Sequence, residues 1–381
     1  MATPFDVKGQ QGSIPSLGLG TATLFKDACK TAVTAAIKAG YRHIDTALLY
    51  DNQEAVGAGI AEAIAAGYVT RADLFVTTKV GFYPATADGK NCDVHLSFHP
   101  ENKKGFAETA AAVDLCLSKL GLAYVDLVLV HNPCTNLLDY QASVSGQRVR
   151  VAPPESWKPP HSPSHATRAP PPRQTCPHNF ELSKTRFTPA ERELILGGRL
   201  AQAHAVWDPA AACAARAATW RALEEAKAAG KARFIGVSNF PPYLIREMDA
   251  YATIAPAVNQ LELHPRASSP ALRALAAATG MALTAYGTGN SAAIERSPVV
   301  AAIAERRRTS PIGVVIQWTL QRGVTVIPRT ATLAHMEANF ESAAAPALSA
   351  EELAQLDALN EAHFYYWEPL PLQPPGAKKD C

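Results

Sequence analysis

The residues best suited to chemistry sit at the ends of apolar runs. Asp45 lies near the end of 41–47, Lys79 near the end of 74–80, and His131 ends 125–131. Ser238 and Asn239 close 232–239, Gln260 falls within 256–263, Tyr286 stands next to last in 282–287, and Arg329 ends 324–329. Carboxylate, ammonium, imidazole and phenol are groups that move protons and hold transient charge. Taken singly, each has an ordinary explanation. A lysine after a strand is usually a solvated loop residue, His131-Asn132-Pro133 makes a turn, and Asp45 can cap the next helix. Their recurrence at one end of successive runs is harder to explain in that way. It matches the mouth of a β/α barrel, where the strand C-termini carry the chemistry.

The elements that must position these residues can be read from periodicity. Together with 17–21, the runs above make eight candidate strands. Stretches such as VDLVLV and LFVTTKV are nearly continuous in apolar residues, as in strands covered on both faces. Helical patterns at 30–39, 107–120, 214–229 and 270–279 stop at Gly40, Gly121, Gly230 and Gly280. A further helix over 349–360 opens with Ser349 and Glu352 in a capping-box relation. Eight strands alternating with helices predict an α/β fold, a closed (β/α)8 TIM barrel forming one domain over 1–381. An open doubly wound sheet is the alternative, but no GxGxxG fingerprint follows the first strand. Gly57 and Gly59 lie inside a helical pattern and are weak evidence for phosphate binding.

Residues 134–213 break the repeat. They separate the fourth strand from its helix by about 80 residues, far beyond the usual connection. Nine prolines fall between Pro153 and Pro177, and the apolar residues there are too few to offset ordering. The reading is an insertion in the loop after strand 4, with 141–178 disordered or polyproline-like. A capping box at Thr188-Pro189-Ala190-Glu191 predicts a helix to about His204.

Composition excludes several function classes. The chain has 381 residues, 48% of them hydrophobic, and a net charge of only +2, which leaves no strong electrostatic footprint for nucleic acid. Seven cysteines at irregular spacing, with no CxxC pair, read as reduced thiols rather than a disulfide framework or zinc site. No apolar leader core opens the sequence, no run of apolar residues is long enough to span a bilayer, and AKKDC is no lipidation or peroxisomal signal. The cytoplasm is the expected location, with no membrane and no nucleic-acid partner.

At the level of motifs the chain resembles the aldo-keto reductases. Gly40-Tyr41-Arg42-His43-Ile44-Asp45-Thr46-Ala47, followed by Tyr50, Glu54 and Gly57, is similar to that family's first signature. Thr78-Lys79, Val130-His131-Asn132-Pro133, Gly236-Val237-Ser238-Asn239-Phe240, Asn259-Gln260 and Ile327-Pro328-Arg329-Thr330 follow in family order. The likeness covers roughly 12–133 and 214–365. It implies a barrel, an extended NADPH across its mouth with NADH as a weaker substitute, and a tetrad of Asp45, Tyr50, Lys79 and His131. It implies that Ser238, Asn239 and Gln260 hydrogen-bond the carboxamide and that Tyr286 stacks on the nicotinamide. Arg329 and Thr330 resemble the family's pair for a ribose 2′-phosphate. His335 stands where an arginine is usual, and Gly20, Thr21 and Asn339 complete the implied cofactor contacts.

These residue types suit reduction of an aldehyde or ketone. Hydride arriving at a carbonyl carbon leaves negative charge on oxygen, which needs a proton. Tyr50 is the implied donor; Lys79 is expected to lower its pKa, and Asp45 to keep Lys79 cationic. His131 is expected to orient the carbonyl. Val80-Gly81 and Ala22 stand where many members carry aromatic residues, which implies a wider or differently filled substrate pocket. Two other readings compete. One is a nicotinamide-binding regulatory subunit with little turnover; the other is a barrel of unrelated chemistry that uses Lys79 as a Schiff-base nucleophile.

Overall fold

The computed structural model describes residues 4–7, 12–81, 105–133, 209–288, 294 and 296–362. Eight parallel strands form one curled sheet in chain order: β3 (Leu19–Gly20), β4 (His43–Asp45), β5 (Phe75–Val80), β6 (Val125–Val130), β7 (Ala232–Ser238), β8 (Val258–Glu262), β9 (Ala282–Tyr286) and β10 (Val324–Val326). The first and last strands meet through parallel bridges Leu17 to Val326 and Gly20 to Arg329. Gly18 N donates to Val326 O at 2.9 Å, and Val326 N donates to Ser16 O at 2.9 Å. The fold is therefore the (β/α)8 barrel that the alternating pattern predicts. Each expected strand is present, though several are shorter than the apolar runs. The run at 324–329 ends its ladder at Val326, and Pro328, which lacks an N–H, can only accept, from Gly20 N at 3.1 Å.

Strand alternation decides which side chains enter the barrel. Phe75, Leu127, Leu129, Phe234 and Val258 pack together inside it, and Val7 and Ile14 join them. Those two come from a hairpin the sequence reading did not anticipate, β1 (Phe5–Asp6) with β2 (Ser13–Ile14). Its strands are two residues long, too short for periodicity to register. Two and four residues beyond this apolar floor, on the same inward faces, come Thr77 and Lys79 on β5 and His131 after β6. Ser238 on β7, Gln260 on β8 and Asp45 on β4 share that direction. The floor fixes the register, and a one-residue slip would turn every one of these groups outward.

Ten helices among the described residues surround the sheet: α1 (Lys26–Lys38), α2 (Gln53–Ala65), α3 (Phe106–Leu120), α4 (Pro209–Ala228), α5 (Pro242–Glu247), α6 (Pro270–Thr279), α7 (Pro298–Arg307), α8 (Pro311–Gln321), α9 (Leu333–Ala344) and α10 (Ala350–Asp357). Proline opens α5 to α8, where its missing N–H costs nothing. Gly121 ends α3 at φ 63°, a conformation that favours glycine. Gly57 has a different role: a Cβ there would lie 2.2 Å from Leu120 O, so its absence lets α2 pack on the end of α3. The capping box of α10 is present in both directions, Ser349 N to Glu352 Oε2 at 2.9 Å and Glu352 N to Ser349 Oγ at 3.2 Å.

Some boundaries differ from expectation. α1 begins four residues earlier, at Lys26, and α4 begins at Pro209. Cys29 and Cys116 are buried free thiols, but Cys213 is disulfide-bonded, so the expectation of reduced thiols throughout fails there. The proline-rich segment 141–178, the helix expected from Thr188, and the insertion up to 208 lie outside the described residues. Among the described residues no helix is long and apolar enough to cross a membrane.

Candidate active site

Four buried polar groups converge at the C-terminal mouth of β4, β5, β6 and β8. Lys79 Nζ donates to Asp45 Oδ1 at 2.5 Å, to Thr46 O at 3.0 Å and to Tyr50 Oη at 3.1 Å. Gln260 Nε2 donates to the other carboxylate oxygen, Asp45 Oδ2, at 2.8 Å. Tyr50 comes from a short 3-10 turn (Leu48–Tyr50) that Asp51 ends in the left-handed region at φ 50°. That turn brings the phenol over the strand ends: its ring centroid lies 5.7 Å from that of His131 at 80°, and Lys79 Nζ lies 4.8 Å from its centre. The structure thus brings together all four members of the expected tetrad.

Burial controls the electrostatics. Lys79 is 1% exposed and Asp45 2%. Desolvation works against the Lys79 ammonium, yet Asp45 and the Tyr50 hydroxyl outweigh it, and the pKa of Lys79 lies above the ordinary lysine value. Desolvation raises the Tyr50 phenol, Lys79 pulls it down, Asp45 pushes it up, and the net direction is upward. The expected lowering of Tyr50 by Lys79 is present, but burial outweighs it and the net shift is upward. The lysine charge is largely answered by Asp45, and burial of the phenol remains. Tyr50 is held as a protonated phenol with a cation in contact.

Ser238, Asn239, Gln260 and Tyr286 lie side by side across β7, β8 and β9. Ser238 Oγ donates to Gln260 O at 2.8 Å. Asn239, at φ 63°, donates from Nδ2 to His131 O at 2.9 Å and accepts at Oδ1 from Tyr286 Oη at 2.7 Å. These amide and hydroxyl groups form one cross-linked rim beside Tyr50 and His131. Their chemistry fits a carboxamide, which offers both a donor and an acceptor.

A second group of donors lies at the end of β10. Arg329, His335 and the partly exposed Thr330 flank the start of α9. Thr330 Oγ1 lies 3.5 Å from His335 Nδ1 and accepts from Thr332 N at 3.1 Å. A guanidinium, a hydroxyl and an imidazole at the N-terminal end of a helix are a donor set that fits a phosphate. Arg329 Nη1 reaches Thr23 Oγ1 in the loop after β3. Gly20 ends β3 and Thr21 begins that loop, and Thr21 Oγ1 donates to Asp45 O at 2.9 Å. Asn339 is placed differently from the other expected cofactor residues. It is 6% exposed on α9, and its side chain hydrogen-bonds Tyr41.

Sequence reading missed Thr46 and Asn52. Asn52 precedes α2, where an asparagine reads as a helix cap, yet it makes no side-chain cap bond. Its amide instead holds Thr21, Leu24 and Thr46.

Fold and site together define a β/α-barrel protein with a cluster of buried, hydrogen-bonded polar groups at its C-terminal mouth. The Aldo/keto reductase family model matches residues 16–361, and the chain belongs to that family. It is 30% identical to a 9,11-endoperoxide prostaglandin H2 reductase of Trypanosoma cruzi, covering 91% of this chain and 88% of that one. It is 31% identical to an NAD(P)H-dependent D-xylose reductase of Scheffersomyces stipitis, over 86% and 85%. Among solved structures, a Bombyx mori aldo-keto reductase in complex with NADP superposes with a TM-score of 0.64 at 27% identity, over 96% and 95%.

Proposed function

We infer that this protein reduces aldehydes or ketones to alcohols with NADPH, with Tyr50 as proton donor. The observation that carries the reading is the contact of Lys79 Nζ with Tyr50 Oη at 3.1 Å, on a lysine clamped by Asp45. NADPH, when bound, supplies the hydride; Ser238, Asn239, Gln260 and Tyr286 would hold its nicotinamide end, and Arg329, Thr330 and His335 its 2′-phosphate, with Gly20, Thr21 and Asn339 as further contacts. Tyr50 Oη donates its proton to the carbonyl oxygen as negative charge develops there. Lys79 then lies in hydrogen-bonding contact with the phenolate left behind and stabilises it. The edge-on ring of His131 stands where it can orient the carbonyl. The substrate is a small-molecule carbonyl compound. We assign the protein to the cytoplasm and read 1–381 as one barrel domain with an insertion at 134–213.

A Schiff-base role for Lys79 is disfavoured by the same geometry. Three acceptors take the three N–H bonds of its ammonium, which leaves no lone pair for attack on a carbonyl. The test is reduced-nicotinamide oxidation across a panel of aldehydes and ketones with both cofactors, beside borohydride trapping. Turnover without trapping supports the reductase. Cofactor binding without turnover of any carbonyl favours the regulatory-subunit reading, and covalent trapping favours the Schiff-base one.

A further inference from the structure

Asn52 lies between the two halves of the site. Its side chain is 2% exposed, and Thr21 and Thr46 beside it are fully buried. Asn52 Nδ2 donates to Thr21 O at 2.8 Å and to Leu24 O at 2.9 Å. Its Oδ1 accepts from Thr46 Oγ1 at 2.8 Å. On one side, Thr46 O accepts from Lys79 Nζ at 3.0 Å, and Tyr50 stands two residues before Asn52 in the chain. On the other side, the loop gripped by Asn52 carries Thr23, whose hydroxyl accepts from Arg329. Two non-glycine residues in the left-handed region flank this hub, Thr23 at φ 62° and Asp51 at φ 50°. Backbone of that kind persists only where its surroundings over-determine it, and Asn52 ties both strained segments together.

We propose that Asn52 is a positioning residue that couples the grip of Arg329 on a cofactor phosphate to the placement of Lys79 and Tyr50. The proposal rests on the cofactor and tetrad assignments above. Arg329 is tied to Thr23 in the free protein. An anion at Arg329 competes for that guanidinium and shifts the loop at Thr21–Leu24, and Asn52 and Thr46 carry the shift to the Lys79 contact. Binding energy gained far from the reacting carbon is then expressed in the rate of the chemical step and not only in affinity. NADH has no 2′-phosphate, so it engages Arg329 less and leaves the coupling unused.

The test compares both cofactors in the full chain with Asn52→Asp and Thr46→Val. The first keeps an acceptor for Thr46 and loses the donors to Thr21 and Leu24; the second keeps those donors and removes the hydroxyl by which Asn52 holds Thr46, whose backbone O still accepts from Lys79. Dissociation constants come from quenching of protein fluorescence, and the chemical step from single-turnover reduction of para-nitrobenzaldehyde by preformed complexes. The wild type is expected to react at least about tenfold faster with NADPH than with NADH. In both variants that rate ratio falls to about one, while NADPH still binds more tightly because Arg329 is intact. Equal single-turnover rates in the wild type, or an unchanged ratio in the variants, would overturn the coupling. Should Asn52→Asp fail to fold, Thr46→Val decides by the same ratio. Equal wild-type affinity for the two cofactors would overturn the phosphate assignment and the coupling with it. A retained affinity preference with an unchanged ratio sinks the coupling alone.

Discussion

Lys79 Nζ and Asp45 Oδ1 stand 2.5 Å apart, and both side chains are almost wholly removed from water. A pair this dry holds only while both members are present, because either charge alone is left buried without compensation. Lys79→Met is expected to abolish turnover and to lower the unfolding free energy by about 3–5 kcal/mol, measured by chemical denaturation. Adding Asp45→Leu to Lys79→Met should recover most of that stability and none of the turnover. A Lys79→Met protein as stable as wild type would mean that Asp45 finds another partner.

The rate of carbonyl reduction should depend on pH in a direction set by Tyr50. Burial raises the phenol above its ordinary value, more than Lys79 lowers it. The donor must carry its proton, so a raised pKa keeps the acid form present as pH rises. The single-turnover rate is expected to stay level up to about pH 10, the usual tyrosine value, and to fall only above it. A rate that already falls from neutral pH upward would show that bound cofactor lowers Tyr50 well below that value.

His43 makes a separate prediction about stability. It is buried in the barrel floor, 2.9 Å from Thr77 Oγ1 and edge-on to Phe75 at 5.0 Å. Desolvation lowers its pKa to about 4, against the pull of Asp45. With a depressed folded-state value, the unfolded chain takes up the proton first as pH falls. The stabilising contribution is complete above the unfolded value of about 6.5 and drains away down to about 4. That gap corresponds to roughly 3 kcal/mol. Unfolding free energies of wild type and His43→Gln between these limits check it: the wild type should lose stability with acid, and the variant should show a flatter profile.

How much of this was legible in the sequence depends on the kind of signal. Lys79 and His131 were readable because each interrupts an apolar run at the same end of a strand, and Gln260 because it interrupts one from within; the period of two carries all three inward. Asn52 was not readable as a hub, since an asparagine before a helical pattern looks like a cap, and only the fold brings Thr21 and Thr46 to it. The direction of the Tyr50 shift depends on how much water the fold removes, which residue types do not encode. Helix α8 escaped because Val314–Thr319 is buried on every side, so no polar face marks its period. The strand limits at Val326 and Asp45 are set by where neighbouring ladders end, not by apolarity.

Cofactor preference tests the outer end of the site. Arg329→Ala should weaken NADPH binding by about 10- to 100-fold, the worth of one or two charge-assisted hydrogen bonds, and leave NADH nearly unaffected. His335→Arg should tighten NADPH by adding a second fork of donors beside Thr330. Titrations of both cofactors against both variants check the two changes together. Equal weakening of NADPH and NADH by Arg329→Ala would place the phosphate elsewhere.

Tyr50→Phe probes the proton donor itself. The variant removes one hydroxyl and keeps the ring beside His131. NADPH and variant, premixed, should reduce an aldehyde in single turnover at least about a thousandfold more slowly than wild type, equivalent to ~4 kcal/mol of barrier. The dissociation constant for NADPH should stay within about threefold, because the phenol acts on the developing alkoxide and not on the cofactor. A variant that binds NADPH normally and keeps more than about a tenth of the wild-type rate, a loss of only ~1.4 kcal/mol, would mean that Tyr50 is not the donor.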